Sequence, residues 1–182
     1  MLKDVWISIN SIHSYDQEDE DTLEFSTDGH YYFDGENGCL TYMESDVTGL
    51  EGTRTSVIVM PDQVVVDRDG MITSRMICRE GLRDAFQYST PFGAATMGID
   101  TRRIRHHMDA NGGKVEIEYV VDMEHTVAAR NRFQITVTEK KNARSPKTTR
   151  IPDSSFTTGM HFFIRKLYVT NIPPMKRTIP KM

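Results

Sequence analysis

At 182 residues, with 38% hydrophobic and 26% charged side chains, the chain has the composition of a folded protein large enough for one substantial core, which excludes a disordered polymer. Its formal net charge of −4 conceals two blocks: residues 1–139 carry 12 Lys and Arg against 25 Asp and Glu, whereas residues 140–182 carry 10 against a lone Asp153. An acidic body is a poor match for a phosphate backbone, so nucleic-acid binding by residues 1–139 is not expected.

Residues 3–14 alternate Val5, Ile7 and Ile9 with Trp6, Ser8 and Asn10, the period of two of a strand with one buried face. Residues 16–21 are a nearly unbroken acidic loop. A second strand runs through Leu23 and Phe25 to Tyr31, Tyr32 and Phe33, and Asp28-Gly29 within it predicts a bulge or bend. Alternation puts Tyr31 and Phe33 in the core and Tyr32 outside. Asp34-Gly35-Glu36-Asn37-Gly38 reads as a hairpin loop and residues 39–44 as the returning strand.

Gly49 and Gly52 bracket a connection to a strand over 54–60, Pro61-Asp62 turns the chain, and Val64-Val65-Val66 leads to an expected turn at Arg68-Asp69-Gly70. Residues 72–79 read as a further strand. A short helical turn is expected over 81–86, where Leu82, Ala85 and Phe86 recur at helical spacing. Pro91-Phe92-Gly93 separates strands over 86–89 and 94–104, and Asp109-Ala110-Asn111-Gly112-Gly113 joins 102–108 to 115–121. A last strand covers 127–137. Met60, Met71, Met76, Met97 and Met108 read as adaptable core filler. Nine or ten short strands with almost no helix predict an all-β antiparallel sheet, and closure into a barrel removes its exposed edges.

The stretches 23–33 (Leu-Glu-Phe-Ser-Thr-Asp-Gly-His-Tyr-Tyr-Phe), 40–44 (Leu-Thr-Tyr-Met-Glu), 66–70 and 88–101, in that order and spacing, resemble the DUF1934 family, also called YwiB-like. The resemblance covers roughly residues 3–139. It implies a calycin-like, lipocalin-type β-barrel of about 8–10 strands and carries no activity with it. The domain organisation expected is a barrel over 1–139 followed by a basic extension over 140–182.

A barrel of this size can be filled by side chains or can hold one small ligand. Period two points Tyr42 and Glu44 the same way, and Arg68 with Thr90 and Thr101 completes a set of candidate ligand-binding residues for the interior. A Glu and an Arg sharing such a space can orient a polar head group through charge-assisted hydrogen bonds, and can equally form a structural ion pair, Arg68 with Glu44 or Glu24. A catalytic use of Glu44 and Tyr42 is the weaker reading, because no GxSxG, SxxK or GxxxxGK motif occurs. His106-His107 cannot both reach one ion from a regular strand, and no other His or Cys has metal-ligand spacing, so no metal or cofactor is expected.

Cys39 and Cys78 lie in separate strand-like segments without a CxxC pair and read as free thiols. No uncharged run reaches the roughly 18 residues of a membrane helix, and the cytoplasm is the expected location. In the extension, residues 142–158 have linker composition, and Met160, Phe163, Ile164, Leu167 and Tyr168 fit a short basic amphipathic helix, strand alternation almost as well, or a segment that docks on the barrel wall or stays disordered. The alternative function is therefore a scaffold whose basic extension contacts a partner, anionic lipid or RNA.

Overall fold

A computed structural model describes residues 1–14, 21–123 and 126–140, so the acidic loop and the amphipathic element of the extension lie outside the described residues. Ten strands follow one another: β1 Lys3–Ser14, β2 Asp21–Phe33, β3 Gly38–Met43, β4 Thr53–Val59 and β5 Val64–Gly70, then β6 Thr73–Cys78, β7 Arg83–Thr90, β8 Gly93–Asp109, β9 Gly112–Met123 and β10 Thr126–Glu139. A 3-10 turn, Asp46–Thr48, interrupts the β3–β4 connection. Each strand pairs antiparallel with its sequence neighbour, and β1 closes the barrel on β10 through ten registered pairs from Val5↔Glu139 to Ser14↔Arg130. This is the all-β antiparallel barrel expected, with ten strands.

The interior has two halves. Around the chain N-terminus, β1, β3, β4, β5, β9 and β10 contribute Val5, Ile7, Leu40, Val57, Val59, Val64, Val66, Val115, Ile117 and Val137, all buried. β-branched side chains fit this pleated surface, and each full burial contributes about 1.5–3 kcal/mol. Towards the other end the inward positions turn polar: Tyr42, Thr55, Ser74, Tyr88, Thr101 and Tyr119 are buried too.

Four local expectations change. No bulge occurs at Asp28-Gly29, where the registers of β2 with β1 and β3 run on unbroken. Gly29 instead permits a close approach: a Cβ there would lie 2.5 Å from the Thr41 carbonyl oxygen and 2.5 Å from Ile7 Cδ1. The turn expected at 68–70 falls later, because β5 stays paired with β4 through Gly70, whose φ of +141° starts the bend. Residues 83–90 are strand rather than a helical turn, with Phe86 and Tyr88 inward at period two. The segments 94–104 and 102–108 are one strand with a bulge between Thr101 and Arg103. Among the methionines, Met76 and Met97 are buried as expected, while Met71 is 54% exposed at the β5–β6 turn. Tyr31 is buried and Tyr32 exposed, as alternation required.

The seam between β6 and β7 is short, registered only as Thr73↔Ser89 and Ser74↔Tyr88. Side chains and loop contacts hold it further along. Arg79 grips Asp84 with Nε at 3.0 Å and Nη2 at 2.6 Å, Gly81 N donates to Thr101 O, Thr101 N donates to Leu82 O, and Glu80 Oε2 accepts from Ile104 N at 2.8 Å beside the bulge. On the outer surface Arg83 of β7 reaches over β8 to Asp122 of β9 in a bidentate pair. Gly98, on the intervening strand, leaves the space: its Cβ would meet Arg83 Nη2 at 2.4 Å and Asp122 Oδ2 at 2.5 Å.

These two glycines should fail differently. Gly29→Ala drives a Cβ into a backbone carbonyl that cannot yield, and is expected to destabilise by about 3 kcal/mol or more; Gly98→Ala only displaces flexible side-chain ends and should cost about 1–2 kcal/mol. Urea unfolding of both variants checks the order, and a Gly98 variant less stable than the Gly29 variant would contradict it.

Burial is also the leading reason that Tyr42, Tyr88 and Tyr119 hold their phenol protons above the ordinary value of 10.0, with the Glu44 charge adding to it at Tyr42. The native state therefore keeps these protons at a pH where the unfolded chain releases them. Their contribution to stability is complete below pH 10 and is lost as pH rises above it, by up to about 1.4 kcal/mol per pH unit for each phenol. Alkaline titration followed by tyrosinate absorbance should show these three ionising only in a cooperative step with loss of β circular dichroism; gradual ionisation of all tyrosines in a folded chain would contradict this.

Candidate functional site

Two rows of inward side chains build the polar half of the barrel, and both follow directly from strand register. In the first, Tyr42 faces Thr55, Thr55 faces Arg68, Arg68 faces Ser74 and Ser74 faces Tyr88, crossing five consecutive strands from β3 to β7. In the second, Thr101 faces Tyr119, Tyr119 faces Asn131 and Asn131 faces His13, from β8 around to β1. Directly opposed residues on one face are neighbours, so each row is a continuous polar stripe.

Glu44 prolongs the inward alternation of β3 just past its end. Its backbone N donates to Thr53 O at 2.9 Å, fixing the direction of the side chain. Its Oε1 accepts from the Thr55 hydroxyl at 2.6 Å, while Oε2 is buried with no protein hydrogen-bond partner. Arg68 is half-buried, and its Nε and Nη1 are likewise buried and unpartnered. Neither structural ion pair expected for Arg68 forms: among the described residues no carboxylate pairs with its guanidinium. Ser74 Oγ and Tyr88 Oη of the first row and Thr101 Oγ1 of the second are also buried without a hydrogen-bond partner.

A cavity of ≈ 60 Å³ lies beside Glu44 and Arg68, lined also by the buried Thr48 and Leu50 of the β3–β4 connection. Its polar wall includes Tyr42, Glu44, Arg68, Ser11, His13 and Asn131, and its apolar wall Ile9, Phe25, Met97 and Phe133. Tyr42, Glu44 and Arg68 thus come together as the alternation suggested. Thr101 lies inward in the second row, on the far side of the barrel from β3 and β4. Thr90 does not join them: its Oγ1 donates to Gly93 O at 3.0 Å and accepts from Phe92 N at 3.1 Å, closing the β7–β8 turn.

Sequence reasoning missed Ser11, His13, Thr55 and Asn131. Ser11 and His13 continue the inward face of Val5, Ile7 and Ile9, so the same alternation that identified β1 was available to find them. Ser11 Oγ lies 2.9 Å from His13 Nε2, and Asn131 Oδ1 meets His13 Nδ1. No group of three or more His, Cys, Asp or Glu able to hold a metal occurs among the described residues. Cys39 and Cys78 are free thiols; burial chiefly pushes the Cys78 thiol up to about 12, so it stays protonated and unreactive at neutral pH. No helix of the described residues is long and apolar enough to cross a membrane.

Comparison with known proteins adds a family and a fold. The "Uncharacterized beta-barrel protein YwiB" of Bacillus subtilis (strain 168) is 27% identical over 104 residues, covering 57% of this chain and 72% of that protein. The crystal structure of the ywiB protein from Bacillus subtilis superposes with a TM-score of 0.67 at 22% identity, covering 76% of this chain and 92% of that one, which supports the barrel fold. Residues 7–135 match the family described as "Domain of unknown function (DUF1934)", and the chain belongs to that family.

Proposed function

We propose that this chain is a binding barrel that takes one small polar molecule, or the head group of a larger one, into the cavity beside Arg68. The observation that carries the reading is the pair of unpartnered buried donors on Arg68, which lines the same cavity as Glu44 with its unpartnered Oε2. Leaving the three of these atoms that line the cavity unsatisfied would cost on the order of 5 kcal/mol, a large fraction of the net stability of a domain. Guanidinium N–H groups favour a planar oxoanion such as a carboxylate, and Glu44 favours a hydroxyl or ammonium donor on the same molecule. A volume of ≈ 60 Å³ is less than half of the ~150 Å³ that admits a benzene ring, so the group inside has only a few heavy atoms.

The calycin-like, lipocalin-type expectation belongs with this reading, since a closed meander barrel is a plan suited to holding a ligand in the interior. The free thiols agree with a reducing compartment, and we place the protein in the cytoplasm. The division at residues 139 and 140 is part of the same proposal: the family match ends at 135, and Lys140, the last described residue, lies 4.9 Å over the Trp6 ring at the end of β10.

Thermal unfolding in a panel of small hydroxy and amino acids tests this. A ligand at about a hundred times its Kd should stabilise the wild type by ~2.7 kcal/mol and leave Arg68→Met unmoved. An equal shift in both, or none across the panel together with native mass spectrometry showing no retained molecule, would overturn the proposal.

A further inference from the structure

Ser11, His13 and Asn131 form a relay that ligand binding does not use. Ser11 and His13 are two apart on β1, so both face the interior, and each is buried against the same cavity wall as Asn131. Asn131 Nδ2 donates to the Ala129 carbonyl at 3.3 Å, which turns Oδ1 toward the imidazole. The neutral tautomer with its hydrogen on the nitrogen facing Asn131 directs the Nε2 lone pair at the Ser11 hydroxyl 2.9 Å away. A hydroxyl paired with an imidazole whose far nitrogen is held by an amide oxygen has the roles of a nucleophile, a general base and a positioning group, an arrangement recognised by geometry on unrelated folds.

We propose that Ser11 is an activated nucleophile, with His13 as its general base and Asn131 as the positioning residue, and that the cavity hydrolyses esters of short acyl groups. The Ser11 hydroxyl proton passes to His13 Nε2 as Oγ bonds to the acyl carbon; the ester C–O bond then breaks and the leaving alcohol takes that proton. Water repeats the sequence on the acyl-serine, releasing the acid and restoring the hydroxyl. Arg68, with unpaired N–H groups on the same cavity, is the donor available to the developing oxyanion. The volume of ≈ 60 Å³ selects acetyl-sized groups over long chains. The inference rests on an accessible cavity and not on recognition of an anionic ligand.

The full chain incubated with p-nitrophenyl acetate provides the test. A burst of about one nitrophenol per chain is expected, with peptide mass spectrometry placing the acetyl group on Ser11. Ser11→Ala should remove both, and His13→Gln should slow acylation at least about a hundredfold. Asn131→Asp, which keeps the acceptor oxygen, should retain more of the rate than Asn131→Leu. Acetyl groups found only on lysines of the wild type overturn the proposal without any variant, as does an undiminished rate in folded His13→Gln. Ser11 acetylation in a wild type that no carboxylate stabilises leaves this inference standing while the binding proposal falls.

Discussion

Closure of β1 onto β10 is the constraint on which everything else in this molecule depends. Ten registered pairs convert an open meander, whose first and last strands would each present a row of unpaired backbone groups, into a cylinder with no such edge. Closure also makes an inside. Once the cylinder is shut, every second residue must live in a space of fixed girth, and the side chains there must either fill it or line whatever remains.

The chain answers that demand differently at its two ends. Aliphatic side chains fill one half, where Val57, Val66 and Ile117 leave no polar atom to satisfy. In the other half the same alternation delivers phenols, hydroxyls, an amide, an imidazole, a carboxylate and a guanidinium. Buried polar groups normally find partners, and several here do: Thr55 with Glu44, and Ser11 with His13. Of those that do not, Arg68, Ser74 and Tyr88 occupy adjoining positions of one register row, Thr101 lies in the other and Glu44 just past the end of β3.

Much of this architecture is legible in the amino-acid sequence. Period two along β1, β3 and β4 locates the inward faces, and the Asp-Gly and Asn-Gly turns locate the β2–β3, β5–β6 and β8–β9 hairpins, because both signals are local. Tyr42 and Glu44 can be paired because they share one strand direction. That Arg68 stands two strands from Tyr42 while Thr90 closes a turn depends on register and shear, which no single strand encodes. Gly29 shows the same limit: a glycine inside a strand signals either a bulge or a close approach, and only the neighbouring strands decide which. Ser11 and His13 escape notice for another reason. Neither belongs to a known motif, and their meaning comes from Asn131, 118 residues away from His13.

The short ladder between β6 and β7 gives the cylinder a direction of weakness. Elsewhere around the circumference, widening the barrel means breaking a row of cooperative backbone hydrogen bonds; here two registered pairs, a part-buried Arg79–Asp84 fork and the 79–82 loop do that work. Local opening draws on the least stable contacts first, so fluctuations of girth concentrate on this seam while the β1–β10 closure stays shut. Ser74 and Tyr88, two of the orphaned polar side chains, face each other across it. The seam with the fewest backbone pairs thus runs through the polar half of the barrel wall.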